Sequence, residues 1–229
     1  MTVRRRGFMA WTWFITWRFL LVVVLLLLVL LLVLRFVPPP TTSFMLQSAY
    51  PVSQHWVSID ELPSHLPLAV VASEDQLFPK HFGIDFTSIT KALNQYDDGQ
   101  GLRGASTITQ QTAKNLLLWP GRNLVRKGLE AMLAVSLEAV WGKKRILEVY
   151  LNVAEFGKGI YGVEAASRHY FNKSARYLSI NEAARLAVLL PSPRSRSPHH
   201  LTPYLHQRVA WGEKQMRQLG SGYLKTILN

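Results

Sequence analysis

The chain has 229 residues, 48% of them hydrophobic, with 26 Lys or Arg against 14 Asp or Glu. That length allows one domain, with or without an appendage, and the absence of cysteine excludes disulfides and thiol chemistry. Arg4, Arg5, Arg6, Arg18 and Arg35 lie in or beside an apolar N-terminal run, so the remainder keeps 21 cations against 14 acids, an excess of +7. Such an excess favours an anionic partner: lipid headgroups, a phosphorylated substrate or nucleic acid.

Residues 19–34 carry no polar side-chain atom, and extension back to Trp11 is broken only by Thr12, Thr16 and Arg18. Roughly 20 residues cross a bilayer core, so this segment can span. Trp11, Trp13 and Trp17 suit the interface, and Arg18 can snorkel. Arg4–Arg6 and Arg18 precede the run and only Arg35 follows it, which predicts a cytoplasmic N-terminus. A cleaved signal peptide has an apolar core of about 7–15 residues and a small-x-small site. The longer run here, leading into Val37 and three prolines, reads instead as an uncleaved anchor. The expected layout is 1–18 as cytoplasmic terminus and interfacial aromatics, 19–37 as anchor (starting as early as 11), 38–60 as stiff linker and lead-in, and 61–229 as the working domain.

From residue 66 onward helical periods dominate. Helices are predicted over 66–77, from an Asp85 N-cap through Phe86, Ile89 and Leu93, then over 107–118, 124–141, 144–153, 162–171, 179–190 and 205–219. Ser179 and Glu182 have capping-box spacing. Residues 95–103, with two Asp and two Gly, read as a flexible loop. Strand signals are limited to short pieces near 54–59. The fold class is therefore mainly α.

Three clusters carry chemistry. In the first, Glu74 and Asp75 follow an apolar run, with Phe78 and His81 close behind. On a helix Glu74 and Phe78 share a face, and apolar surroundings raise a carboxyl towards the range of a general base. A solvated helix end pairing with Lys80 is the bland alternative. In the second, Thr107, Gln111 and Lys114 form one helical stripe. Ser106 and Thr107 sit behind a glycine, where backbone N–H groups can hold an anion. Asn115 follows. The third is Arg126-Lys127-Gly-Leu-Glu130, whose i, i+4 pair is worth only a few tenths of a kcal/mol if exposed. Lys143 to Arg145 read as a solvated turn. No cluster has metal-ligand spacing.

The order and spacing of the runs EDQLFPKHFGID, GASTITQQTAKN, RKGLE, KKRILEVYLNVAEFGKGIYGVEAASRHYF and EAARLAVLLPSP resemble the peptidoglycan glycosyltransferases of family 51, over roughly residues 66–193. The WPGR stretch and the short chain resemble the monofunctional biosynthetic members, without a transpeptidase domain. The resemblance implies a lysozyme-like helical fold in two lobes. It also implies transfer of a polyprenyl-diphosphate-linked glycan to the 4-hydroxyl of lipid II, with inversion, at the bacterial inner membrane and with the domain in the periplasm. Glu74 would be the general base and Glu130 the second catalytic glutamate on the donor side. Lys114, Arg126 and Lys127 would neutralise diphosphates. Asp75, Phe78, His81, Ser106, Thr107, Gln111 and Asn115 would bind substrate or shape its site. Expected partners are lipid II, the growing strand, membrane lipids and cell-division or cell-wall synthesis proteins. No cofactor is required by the sequence; Mg or Mn at the diphosphate is compatible by charge.

A lytic transglycosylase shares the implied fold but cleaves an uncharged bond, and so gains nothing from Lys114, Arg126 and Lys127. A non-catalytic scaffold would not need Glu74. Nucleic-acid binding is disfavoured by the predicted topology and the lack of a basic aromatic motif. Phe82, Phe86 and Trp119 read equally as core or as membrane-dipping residues, and 95–103 as a cover over the acceptor site.

Overall fold

A computed structural model describes residues 3–97, 106–121 and 123–228. It divides into two compact units, Met1–Pro38 and Pro39–Asn229.

The first unit is a single helix, α1 (Val3–Phe36). Within it Trp11–Phe36 is long and apolar enough to cross a membrane, about 39 Å at 1.5 Å per residue. The polar interruptions are neutralised locally. The Thr16 hydroxyl donates to the Thr12 carbonyl at 2.9 Å, and the Arg18 guanidinium lies 4.1 Å from the Phe14 ring centroid.

The second unit begins with α2 (Ser43–Leu46), capped by the buried Thr42, whose hydroxyl accepts from Met45 N. Residues 43–46, within the stretch expected as linker and lead-in, thus form a capped helical turn. The same stretch also supplies β1 (Ser53–Gln54), which pairs in parallel with β3 (Ile160–Tyr161); β2 (Glu155–Gly157) pairs antiparallel with β3 to complete a three-stranded sheet. These strands of two or three residues are too short to print an alternation. A turn at Lys158 and Gly159 closes the hairpin.

The helices follow the predicted order: α3 (His65–Glu74), α4 (Phe86–Asp97), α5 (Ile108–Leu117), α6 (Leu124–Trp141), α7 (Lys143–Val153), α8 (Val163–Phe171), α9 (Ile180–Ala187) and α10 (Pro203–Leu219); a short α11 (Lys225–Leu228), not foreseen from the sequence, follows. Their caps are those the side chains dictate. The amide of Ser88 donates to the Asp85 carboxylate at 2.9 Å, and Thr107 with Gln110 and Ser179 with Glu182 form complete capping boxes. Of residues 95–103, the first three continue α4, and those from 98 lie outside the described residues.

Two packed groups emerge: α3 with α9 and α10, and α5 with α6 and α7. The first buries Leu66, Val70, Val71 and Leu186; the second buries Ile108, Leu137, Ile146, Leu147 and Leu151. The C-terminal end of α3 and the N-terminal end of α5 meet at the seam between them, where Ile108 N donates to Asp75 at 2.9 Å.

Candidate active site

Glu74 is the last residue of α3, half-buried, at the seam. The Gln111 side-chain Nε2 on α5 donates to Glu74 Oε2 at 2.9 Å. Gln111 Oε1 in turn accepts from the hydroxyl of Tyr150 on α7 at 3.0 Å. Burial pushes the Glu74 carboxyl above its ordinary value. The Gln111 hydrogen bond and the charges of Arg208, Lys114 and Arg196 oppose that rise without cancelling it. A carboxylate raised in this way is suited to accept a proton near neutral pH. The bland alternative fails, because Glu74 is not a solvated helix end.

Asp75 and its neighbours do a different job. The His81 Nε2 lies 3.0 and 3.1 Å from the two Asp75 carboxylate oxygens, and Ile108 N takes one of them as well. The anion at the start of α5 is therefore internal, the Asp75 carboxylate, and not a ligand as the sequence suggested. Thr107 caps α5 and donates to Gly83 O at 2.6 Å, while Phe78 is wholly buried. Expected among the substrate-binding residues, Asp75, Phe78, His81 and Thr107 have their side chains committed within the protein. They build the wall that holds Glu74.

That wall is anchored by a buried carboxylate the sequence did not single out. Glu138 accepts from Gly83 N at 3.1 Å, from the Thr109 hydroxyl at 2.7 Å and from Lys143 Nζ at 2.5 Å. Lys143, expected in a solvated turn, is instead paired there with its ammonium 4.4 Å from the Phe78 ring centroid. Gly83 adopts φ +79°, and a Cβ on it would lie 3.0 Å from the Ala134 backbone. Only glycine lets the first motif lie this close to α6.

On the other side of Gln111 stands the cation cluster. Glu130 is buried, and both its oxygens are held: Arg126 donates at 2.8 Å and Lys127 at 2.5 Å. Lys127 also donates to the Ser106 hydroxyl at 2.9 Å. Arg126 and Glu130 thus form a buried ion pair, joined by the half-exposed Lys127, and loss of either buried member leaves uncompensated charge. Among the described residues, the buried Arg126 Nε has no hydrogen-bond partner. Lys114 feels both glutamates. Burial lowers its ammonium below the ordinary value, Glu130 and Glu74 oppose that fall, and Arg126 and Lys127 deepen it.

Two cavities flank the Glu74–Gln111 bond. One, of about 320 Å³, is lined by Glu74, Asp85, Ser88, Lys91, Ser106 and Trp211, among others. The second, of about 500 Å³, is lined by Gln111, Lys114, Asn115, Tyr150, Phe44 and Arg194 with the 190–195 segment. The structure thus brings Glu74 and Ser106 to the first cavity and Gln111, Lys114 and Asn115 to the second, while Arg126 and Lys127 line a third with Glu130 buried against them.

A family model described as Transglycosylase matches residues 42–217. The chain belongs to the transglycosylase family. It is 86% identical over 228 residues to a protein named biosynthetic peptidoglycan transglycosylase from Shewanella frigidimarina, covering 100% of this chain and 99% of that one. A protein of the same name from Marinomonas sp. is 68% identical over 228 residues, covering 100% of both. The one from Escherichia coli is 54% identical over 172 residues, covering 75% of this chain and 71% of the other. The mainly helical domain is the lysozyme-like fold of this family, as the five runs implied.

Three residues of this transglycosylase's cleft escaped sequence reasoning. Tyr150 was legible only as a phenol on an apolar helix face, where a buried hydroxyl needs a partner. Trp211 and Arg208, one turn apart on α10, belong to no motif that singles them out in the sequence. The Arg208 guanidinium lies 4.3 Å from the Trp211 ring centroid, and its charge reaches Glu74.

Proposed function

We propose that this transglycosylase is a peptidoglycan glycosyltransferase that polymerises lipid II, with Glu74 as the base on the acceptor side. The observation that carries the proposal is a raised carboxyl facing one cavity, joined through a single glutamine to a second cavity lined by Lys114, with Arg126 and Lys127 lining a third. The acceptor sugar enters the cavity lined by Glu74 and Trp211, and the donor diphosphate lies against Lys114, Arg126 and Lys127. The acceptor 4-hydroxyl loses its proton to Glu74, and its oxygen forms a bond to the donor anomeric carbon. The bond from that carbon to the diphosphate oxygen breaks, and the anomeric centre inverts from α to β. Polyprenyl diphosphate leaves with its charge held by the cations, so no proton donor is needed. Glu130 supports this step by fixing Arg126 and Lys127 rather than by moving a proton.

A sequential division of labour follows for the membrane. The α1 helix anchors the chain, and the basic excess of the domain suits a surface of anionic lipid. We place the anchor in the inner membrane, with the N-terminus cytoplasmic and the domain periplasmic. Its neighbours there would be division or wall-synthesis proteins. Among the described residues, no three His, Asp or Glu side chains gather as a metal cage. Mg²⁺ or Mn²⁺ at the diphosphate would therefore take its ligands from phosphate oxygens and water.

Incubating the full chain in vesicles with labelled lipid II tests this. Polymer is expected from the unmodified chain, and Glu74→Gln should lower its rate by about 10²- to 10⁴-fold with an unchanged circular dichroism spectrum. Degradation of isolated cell wall without polymer would overturn the assignment.

A further inference from the structure

We propose that Tyr150 is a positioning residue for the base, its hydroxyl holding the Gln111 side chain with the amide N–H₂ turned towards Glu74. This builds on Glu74 acting as the acceptor-side base. A glutamine amide has a donor end and an acceptor end of nearly equal shape, so its direction is set by its partners. Here one partner can only accept when ionised, the Glu74 carboxylate, and lies 2.9 Å from Nε2. The other, the Tyr150 hydroxyl, donates to Oε1 at 3.0 Å. The two bonds enforce one orientation.

Tyr150 is suited to that duty. It is wholly buried on α7, so its hydroxyl must find a partner inside the protein. Burial, reinforced by the charges of Glu74 and Asp75, pushes its phenol well above the ordinary value. The hydroxyl therefore stays a donor wherever the enzyme works. The consequence for Glu74 is geometric. Oε2 is occupied by Gln111, whereas Oε1 has no hydrogen bond among the described residues and stays open to the acceptor hydroxyl.

Without the phenol, the amide can turn its carbonyl towards Glu74. That orientation repels the carboxylate and accepts from the protonated acid, so it favours the form that cannot act as a base. The remaining groups that face Glu74 are Lys114 on α5, Arg208 on α10, Arg196 in the segment after α9, and neighbouring Asp75. All of them keep their charges when Tyr150 is changed.

The pH dependence of kcat/KM for lipid II polymerisation tests the relay in the full chain. Tyr150→Phe keeps the ring and removes one oxygen, and a thermal melt checks that it folds. The acidic limb is expected to move upward by about one pH unit, the size of shift one hydrogen bond to a charged group gives. Gln111→Leu should move it the same way, and the double variant no further than Gln111→Leu alone, because Tyr150 acts through Gln111. Gln111→Asn, too short to reach both partners, should shift the limb with Tyr150 intact and keeps the test open should Tyr150→Phe not fold. A uniform loss of rate with an unmoved limb in Tyr150→Phe, additive shifts in the double variant, or a native limb in Gln111→Asn would each overturn the relay. None of those results touches the glycosyltransferase assignment, which falls only if the unmodified chain makes no polymer.

Discussion

At Glu74, burial penalises the charge that the proposed base would need, and three cations and one amide restore part of what burial takes away. The same conflict has a cost in stability with a definite sign. The folded carboxyl is raised, so folding favours its protonated form. That contribution is complete below the ordinary carboxylate value and is lost as pH rises through the raised one. Glu74→Gln carries no charge at any pH. Its melting temperature should therefore exceed that of the native chain at neutral pH, and the gap should close as pH falls below about 4. Melts followed by circular dichroism between pH 4 and 8 would show it, and a gap independent of pH would refute it. Glu130 serves a different end. Its two oxygens are held by Arg126 and Lys127, so its worth lies in keeping two cations in place beside Lys114.

Helices α5, α6 and α7 were legible almost to the residue, because amphipathic periods, a capping threonine and a glycine break sit at their ends. The same holds for α10. What sequence could not reveal was which elements would touch. Tyr150 and Gln111 are 39 positions apart, and Glu138 reaches Gly83 across 55. Neither pairing leaves a local pattern, since long-range contact depends on how two packed groups close. The misreadings concern contacts between elements, near as well as far in sequence. Lys143 looked solvated because its partner Glu138 lies on the preceding helix, and the start of α5 looked free to bind an anion because Asp75 arrives from α3. The element most underestimated was α10. The Tyr223 hydroxyl, just beyond it, donates to Gln76 O at 2.6 Å, and Gln76 Nε2 donates to Gln215 Oε1 at 3.1 Å. These bonds hold α10 against the residues after Glu74, with Trp211 lining the cavity proposed for the acceptor. An aromatic face there suits the apolar side of a sugar ring. Trp211→Ala should raise the KM for the acceptor about tenfold, a loss of about 1.4 kcal/mol, with a much smaller change in kcat. An equal fall in kcat with KM unchanged would count against this subsite.

At the scale of the whole molecule, an enzyme acting on a lipid-tailed substrate has to bring its cleft to the bilayer, and a tether alone does not orient a domain. One face of α6 offers an orientation. Leu124, Val125, Met132 and Val135 fall within about 100° of one another around the helix and are exposed by 90%, 73%, 53% and 39%. Phe82, exposed by 58%, adjoins Gly83, which packs on the α6 backbone at Ala134 and Val135; Phe86 is exposed as well. The ambiguity over Phe82, Phe86 and Trp119 is thus removed, since none of them is core. Exposed apolar side chains gathered on one face mark a surface meant for lipid or protein. The same helix carries Arg126 and Lys127 in its first turn, so seating this face in the headgroups would bring the cations to the depth of a lipid diphosphate. Replacing Val125 and Met132 together by Glu leaves the core untouched and puts charge on that face. Polymerisation of long-chain lipid II in vesicles should then fall by at least tenfold, about the effect of losing one exposed-to-buried apolar side chain on binding. Turnover of a short-chain, water-soluble lipid II analogue should hardly change. A loss of the same size on both substrates would place the defect in the cleft and remove the membrane role of this face.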